Sequence, residues 1–308
     1  MNPTVSVGAT KNVDVLRDRL YSGSQNLQKR GVKLVLSTRE AGNITFLGCN
    51  LIPLDRVTKT AEPQALILRQ YLARTVAELI TTDWEKILLS KMIDHQKDLF
   101  TPVERKQILE RAERFLELTD GIAGFGTSEK AGSSKGNSNR RNLIRQAVLE
   151  YLEANDELVI DGFLRFRLKH YLDQLSQAVD SAIDELMMER EYQEFIRLLR
   201  YFVEIQEPRA NQVHVVMRPT GIFHIYDSHG HPVEHDYLNG FLLDVVETDL
   251  NYEDLLISAL ITIAPQQITI HLAEASQIGE SVETIQEVFD GRVIVCPGCE
   301  HCLRYNKL

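Results

Sequence analysis

The chain has 308 residues, of which 44% are hydrophobic and 25% charged, and its formal net charge is −10. These proportions are ordinary for a folded globular protein, and the length predicts about two compact parts. The acidic total argues against a general nucleic-acid binder, since such proteins present a basic surface to phosphates. Residues 1–60 do carry nine Lys/Arg against four Asp/Glu. We interpret that excess as a solvated basic face, with nucleic-acid binding as the weaker alternative.

The sequence predicts a cytoplasmic protein without a membrane segment. Its longest apolar run, residues 255–264, is about half the roughly 20 residues that a bilayer-spanning helix needs. The first residues lack the charged head and apolar block that mark a secretory signal. We therefore expect the four cysteines to be thiols in a reducing compartment rather than disulfides.

Residues 1–118 are predicted to form an α+β and helical region. An amphipathic stretch covers Val13–Arg30, and two strands follow at Val32–Leu36 and Asn43–Leu47, with turn residues between them. From residue 62 onwards, apolar side chains recur at steps of three and four residues. That period predicts helices up to about residue 118.

A capping box and a low-complexity segment punctuate the middle of the chain. Thr101 and Glu104 have the spacing of a capping box, with Pro102 at the first helical position. Residues 119–139 are rich in Gly, Ser and Asn and poor in apolar side chains. This composition predicts a flexible linker or loop between the first region and residues 140–308.

The helical pattern resumes at about residue 142 and continues to about residue 207. A long apolar stripe there predicts core packing, because such stripes are the buried faces of helices. A coiled-coil dimer stays open, although the period is not strictly seven. The predicted buried positions are Leu164, Leu168, Leu172, Leu175, Val179, Ile183 and Leu186, followed by Phe195, Leu198, Leu199, Phe202 and Val203.

The last hundred residues are predicted to be a smaller α/β module with a mixed sheet. A hairpin is expected at Val213–Met217 and Ile222–Tyr226, and a helix at Tyr252–Ile263. Strand, helix and strand then follow between Gln267–Leu272 and Arg292–Val295, which predicts a βαβ unit with parallel strands. The fold class is therefore α/β (α+β), with a helix-rich N-terminal and central part.

Three cysteines near the end of the chain have metal-ligand spacing. Cys296, Cys299 and Cys302 are separated by two residues each, and zinc sites use thiolates at such spacing on a tight turn. A fourth ligand is needed. Both strands of a parallel pair end at the same edge of the sheet, so His271 or Glu274 is expected beside Cys296. The predicted metal ligands are Cys296, Cys299, Cys302 and His271, with zinc as the candidate cofactor.

Other interpretations of the cysteine cluster stay open. His301 is adjacent to Cys302, which makes joint ligation awkward, and Cys49 is a more distant fourth donor. An iron centre is a further option, although iron–sulfur clusters usually take four cysteines. A redox switch, or an ordinary solvent-facing tail without any ligand, would also fit the sequence.

A second histidine-rich segment lies just after the predicted hairpin. His229, His231 and His235 fall within seven residues, and such a loop could chelate a transition metal. We favour a solvated turn, because His, Gly and Asp are common in turns that bind nothing. His214 and His224 lie within strand patterns and are interpreted as packed or edge histidines.

Four segments resemble the YtxC family of sporulation proteins from endospore-forming Firmicutes: residues 163–175, 189–209, 251–265 and 291–302. The resemblance implies a cytoplasmic, sporulation-associated protein, and it assigns no catalytic residues. With no nucleophile–base set in the sequence, we expect a non-enzymatic protein that acts through contacts with a protein partner. The alternative is a metal-binding or redox-responsive protein that uses the cysteine cluster.

Overall fold

The computed structural model separates the chain into two compact units, Met1–Leu186 and Met187–Leu308. We call them unit 1 and unit 2. None of the helices in the described parts of the chain is both long and apolar enough to cross a bilayer. The structure describes residues 4–54, 63–96, 98–120, 136–217, 223–233, 252–272 and 280–299, together with residue 302.

A four-stranded sheet organises unit 1, in the order β2-β3-β1-β4. The two strands predicted from the sequence form an antiparallel hairpin, and both are longer than expected. The other two strands were not predicted. β1 is antiparallel to β3, and the short β4 is parallel to β1. The strands are β1 (Val5–Ala9), β2 (Val32–Ala41), β3 (Ile44–Pro53) and β4 (Glu157–Val159).

Helices complete unit 1, and their apolar sides form one core with the sheet. The predicted capping box is confirmed, since Glu104 Oε2 accepts from the Thr101 N–H at 2.8 Å. The helices are α1 (Val13–Gly23), α2 (Gln25–Gln28), α3 (Gln64–Leu79), α4 (Glu85–Asp94), α5 (Pro102–Asp120), α6 (Gly136–Ala154), α7 (Ile160–Arg167) and α8 (Lys169–Ile205), with a π-helical turn at Ile80–Trp84 between α3 and α4.

The division between the compact units falls inside α8, between Leu186 and Met187. α6 packs on α3 and α5 within unit 1. The linker predicted at residues 119–139 falls mainly on residues 121–135, which lie outside the described residues. Its flexibility and its role as a boundary therefore stay predictions.

The predicted buried positions are confirmed in the first half of α8 and only in part in its second half. Leu175 and Val179 are buried in the core of unit 1, as predicted, and Leu172 is partly buried. In the second half, Phe195 and Phe202 are exposed. Leu199 and Val203 do pack into the core of unit 2, as predicted, and Ile196, which was not among the predicted positions, packs there with them.

Unit 2 contains the predicted mixed sheet, in the order β6-β5-β7-β8. β5 and β6 form the antiparallel hairpin, whereas β5, β7 and β8 are parallel. The βαβ unit is confirmed. It consists of β7, α10 and β8. The elements of unit 2 are β5 (Ala210–Met217), β6 (Phe223–Asp227), α9 (Tyr252–Ile263), β7 (Pro265–Leu272), α10 (Glu280–Val288) and β8 (Val293–Val295).

The two faces of this sheet differ in chemistry because successive strand residues point to opposite sides. Val213, Val215, Ile268 and Ile270 lie in one core with apolar residues of α9 and α10. The opposite face of β5 and β7 is mainly polar and carries Gln212, His214, Thr269 and His271, together with the apolar Val216. The cysteine-rich end of the chain lies beside His271 of this polar face.

Candidate metal centre

The parallel pairing of β7 and β8 brings His271 and Cys296 to one edge of the sheet. Ile270 is the register partner of Val295, so the residues that follow them, His271 and Cys296, lie side by side. The N–H of Cys296 donates to the carbonyl oxygen of Ile270 at 2.8 Å and extends the ladder by one bond. The crossover predicted from the sequence therefore positions the first two donors.

A tight turn after β8 leads the chain towards Cys299. Gly298 has a φ of 127°, which side-chain-bearing residues rarely adopt and glycine adopts readily. The Sγ atom of Cys299 lies 3.4 Å from His271 Nδ1 and 3.8 Å from the Sγ atom of Cys302. The tight turn expected between two thiolates of this spacing is thus present.

All four predicted ligands converge on one point. One donor atom from each of His271, Cys296, Cys299 and Cys302 lies within 4.8 Å of the others. Cys302 Sγ is 3.4 Å from His271 Nδ1 and 3.9 Å from Cys296 Sγ. None of the three cysteines is in a disulfide.

These distances match a tetrahedral metal site. Zinc with Zn–S bonds of about 2.3 Å and a Zn–N bond of about 2.0–2.1 Å separates two sulfurs by about 3.8 Å and a sulfur from a nitrogen by about 3.5 Å. Two of the sulfur–sulfur distances are 3.8 and 3.9 Å, and the nitrogen–sulfur distances of Cys299 and Cys302 are both 3.4 Å. All four donor atoms lie within 4.8 Å of one another. A disulfide would instead bring two sulfurs to about 2.05 Å. The four donors are therefore close enough together to share one ion.

The donor chemistry favours zinc over the hard cations. Calcium and magnesium prefer oxygen ligands, whereas thiolate and imidazole suit zinc or iron. Three sulfurs and one ring nitrogen make up a common tetrahedral set of structural zinc. The residues present thus fit the ion that the sequence suggested.

Burial affects the thiol of Cys302. Desolvation raises the pKa of Cys302 to about 11, and the neighbouring Cys296 thiol adds to the rise. Without a cation, this thiol therefore holds its proton at neutral pH. A metal ion would replace the proton, because only the thiolate is a good ligand.

His271 has a partner that the sequence did not reveal. Its side chain is buried, and its Nε2 atom lies 3.0 Å from Nδ1 of His214 on β5. The sequence interpretation left His214 as a packed or edge histidine. Strand alternation puts both residues on the same sheet face, but that signal is readable only once β5 is known to pair with β7.

The second histidine-rich segment forms a turn around Asp227. The carboxylate of Asp227 accepts the backbone N–H groups of His229 and His231, both at 2.8 Å. These hydrogen bonds lower the pKa of Asp227, with the bond from His231 as the largest cause. The two imidazole rings are exposed and stacked. This geometry agrees with the predicted solvated turn, while His235 lies outside the described residues.

The remaining alternative donors do not join the cluster in the described parts of the chain. Cys49 lies on β3 in the core of unit 1, where its thiol points to the Leu47 carbonyl oxygen at 3.6 Å. Burial raises its pKa to about 12. Glu274 and His301 lie outside the described residues.

Comparisons with known proteins identify a family but not an activity. The profile of the YtxC-like family matches residues 70–294. The uncharacterized protein YtxC of Bacillus subtilis (strain 168) is 32% identical over 158 residues, which are 50% of this chain and 54% of the relative. The alignment thus spans about half the length of that curated relative. No solved structure matches the chain.

The family match includes His214 and His271 but ends before the cysteines. Residue 294 is the last one matched, whereas the cluster begins at Cys296. The metal centre is therefore supported by the geometry of this chain alone.

Proposed function

The chain belongs to the YtxC-like family, and we propose that its second unit is a zinc-binding module. In this proposal Cys296, Cys299, Cys302 and His271 hold one ion. The observation that supports it is the convergence of four donor atoms within 4.8 Å of one another, with four of their distances close to those of a tetrahedral zinc site. The sulfur–sulfur distances of 3.8 and 3.9 Å and the nitrogen–sulfur distances of 3.4 Å agree with those of a zinc site.

The proposed role of the ion is structural. Four protein ligands leave no open position for water or substrate, which catalytic zinc requires. The ion would tie Cys299 and Cys302 to the buried His271 of β7, and would thereby fix the residues after β8 to the edge of the sheet. Binding energy at such a site contributes directly to folding.

Metal analysis of anaerobically purified protein tests this proposal. We expect about one zinc per chain in the wild type, since one donor set is proposed. Cys302→Ser should lose the zinc, whereas Cys49→Ser should keep it, because Cys49 lies elsewhere in the fold. A wild-type protein without metal would contradict the proposal. One iron per chain in place of zinc would contradict the zinc assignment and support the iron centre.

A second candidate function is protein contact through the exposed side of α8. Phe195 is 55% exposed, Leu198 57% and Phe202 49%, although apolar side chains of this size usually avoid water. Clustered exposed apolar residues mark interaction surfaces. Together with the family resemblance, this surface supports a cytoplasmic protein that acts on a protein partner during sporulation.

Comparative copurification from sporulating host cells tests the contact proposal. A tagged wild-type protein and a Phe195→Asp variant would be recovered in parallel, with Asp173→Asn on the same helix as a surface control. We expect a specific partner that the wild type and the control retain and the Phe195→Asp variant loses. Equal recovery of every protein by all three would contradict a role for this surface.

A further inference from the structure

Two histidines on neighbouring strands share a hydrogen bond beside the proposed metal centre. His214 pairs in register with Thr269, two residues before His271, so both imidazoles lie on the polar face of the sheet. His214 Nδ1 and His271 Nε2 are 3.0 Å apart, and the ring centroids are 5.3 Å apart. One nitrogen must therefore donate and the other must accept.

Metal binding decides which nitrogen donates. His271 Nδ1 is the atom that lies 3.4 Å from the sulfurs of Cys299 and Cys302, so Nδ1 is the ligand atom and carries no proton. A neutral imidazole has one ring proton, which then resides on Nε2. Nε2–H donates to His214 Nδ1, and the proton of a neutral His214 resides on its own Nε2.

We propose that His214 is a positioning residue that fixes His271 as an Nδ1 ligand of the metal. This inference rests on the zinc centre proposed above. An acceptor at His214 Nδ1 stabilises the tautomer of His271 that can bind the ion, and it holds the ring plane towards the sulfurs. Partners of this kind orient metal-bound histidines, and their removal typically weakens metal affinity about 10–100-fold.

A neighbouring cavity determines which variants are informative. His214 and His271 both line a cavity of about 180 Å³, together with Tyr226, Ser228 and His229. Truncating His214 to alanine would enlarge this space and let water accept the His271 proton. His214→Phe is the sharper change, since it keeps an aromatic ring in this space and removes the acceptor. His214→Asn places an amide oxygen close to the position of Nδ1.

His224 provides a matched control. It lies on the same sheet face, on β6, and pairs with Val216 of β5, so Val216 separates it from His271. His224→Phe makes the same chemical change as His214→Phe without touching the His271 hydrogen bond.

Zinc affinity measured by chelator competition gives the first test. We expect His214→Phe to bind zinc about 10–100-fold more weakly than the wild type. His214→Asn should restore affinity close to the wild type, and His224→Phe should leave it unchanged. Equal affinities for His214→Phe and His224→Phe would overturn the positioning role. Absence of zinc from the wild type is a different result, which refutes the metal centre itself.

Nitrogen-15 NMR of the zinc-loaded protein, labelled at the histidine rings, gives the second test. The expected pattern for His271 in the wild type is a proton on Nε2 and a metal-bound Nδ1. A proton on Nδ1 with zinc on Nε2 would overturn the proposal directly. This readout does not depend on whether His214→Phe folds, and it tests which nitrogen of His271 is the ligand atom. The comparison of His214→Phe with His224→Phe tests the role of His214 itself.

Discussion

The cysteine of unit 1 and the three cysteines of unit 2 have the same side chain in opposite surroundings. Cys49 is fully buried among apolar residues of the first core, with a backbone carbonyl oxygen as its hydrogen-bond acceptor. The cysteines after β8 are half-buried and lie within van der Waals distance of one another and of an imidazole.

This difference shows that neighbours, more than residue type, determine what a thiol does. In apolar surroundings the proton is retained, which is why the pKa of Cys49 rises to about 12. Three thiols and a histidine that converge on one point can instead bind a cation, which replaces the protons of all three thiols. The same argument predicts how each cysteine responds to substitution.

Loss of a metal ligand should have the largest effect. Cys302→Ser is expected to abolish zinc binding and to lower the thermal midpoint of unit 2. A ligand present at about 1,000 times its dissociation constant contributes roughly 4 kcal/mol to stability. Calorimetry with and without a chelator measures this contribution. An unchanged midpoint, in protein shown to contain zinc before chelation, would mean that the ion does not support the fold.

The influence of surroundings extends to the leucines of α8. Leu175 is fully buried in unit 1, whereas Leu198 on the same helix is exposed. We expect Leu175→Ala to reduce the free energy of unfolding by about 3 kcal/mol, since buried leucine truncations leave a cavity. Leu198→Ala should change it by less than about 0.5 kcal/mol. Denaturant titration compares the two, and equal costs would refute the assigned burial.

Substitution of Cys49 should affect stability without affecting metal. Cys49→Ser puts a hydroxyl into an apolar site and is expected to cost about 2 kcal/mol of stability. Its zinc content should equal that of the wild type. A drop in zinc for this variant would show that Cys49 contributes to the metal centre, against the location of the residue.

Alkaline pH should destabilise the protein through Cys49. In the unfolded chain this thiol ionises near the ordinary cysteine pKa of 9.0, whereas in the folded protein burial raises its pKa to about 12. The raised folded pKa therefore contributes stability that is complete below pH 9 and is lost as the pH rises towards 12. At pH 10 the loss is about 1.4 kcal/mol, from one pH unit of titration. Denaturant titrations at pH 8 and 10 should show a loss that is about 1.4 kcal/mol larger in the wild type than in Cys49→Ala, since the raised pKa values of Cys302 and Tyr71 affect both proteins equally. An equal loss in both proteins would assign it to another group.

The sequence was sufficient for much of the fold and for the four candidate ligands. The strands that end at His271 and Cys296 are apolar runs separated by one helical segment, and that local pattern implies a parallel crossover. Because parallel strands end at the same edge of a sheet, His271 and Cys296 are then expected side by side. β1 and β4 were missed because each is too short for a clear alternation of apolar and polar residues.

Two failures have non-local causes. In the second half of α8, Phe195, Leu198 and Phe202 form as regular an apolar stripe as Ile196, Leu199 and Val203. Periodicity alone cannot select the side that packs against the sheet. The partnership of His214 with His271 requires the order of the strands, which the sequence pattern of each strand does not contain.

X-ray absorption spectroscopy at the zinc edge tests the shared ion most directly. The account predicts three sulfur neighbours at about 2.3 Å and one nitrogen neighbour at about 2.0–2.1 Å in the purified wild-type protein. Cys302→Ser should lose this signal, and Cys49→Ser should retain it. A shell of only oxygen and nitrogen, a shell of four sulfurs, or a wild-type protein without zinc would contradict a Cys296–Cys299–Cys302–His271 centre.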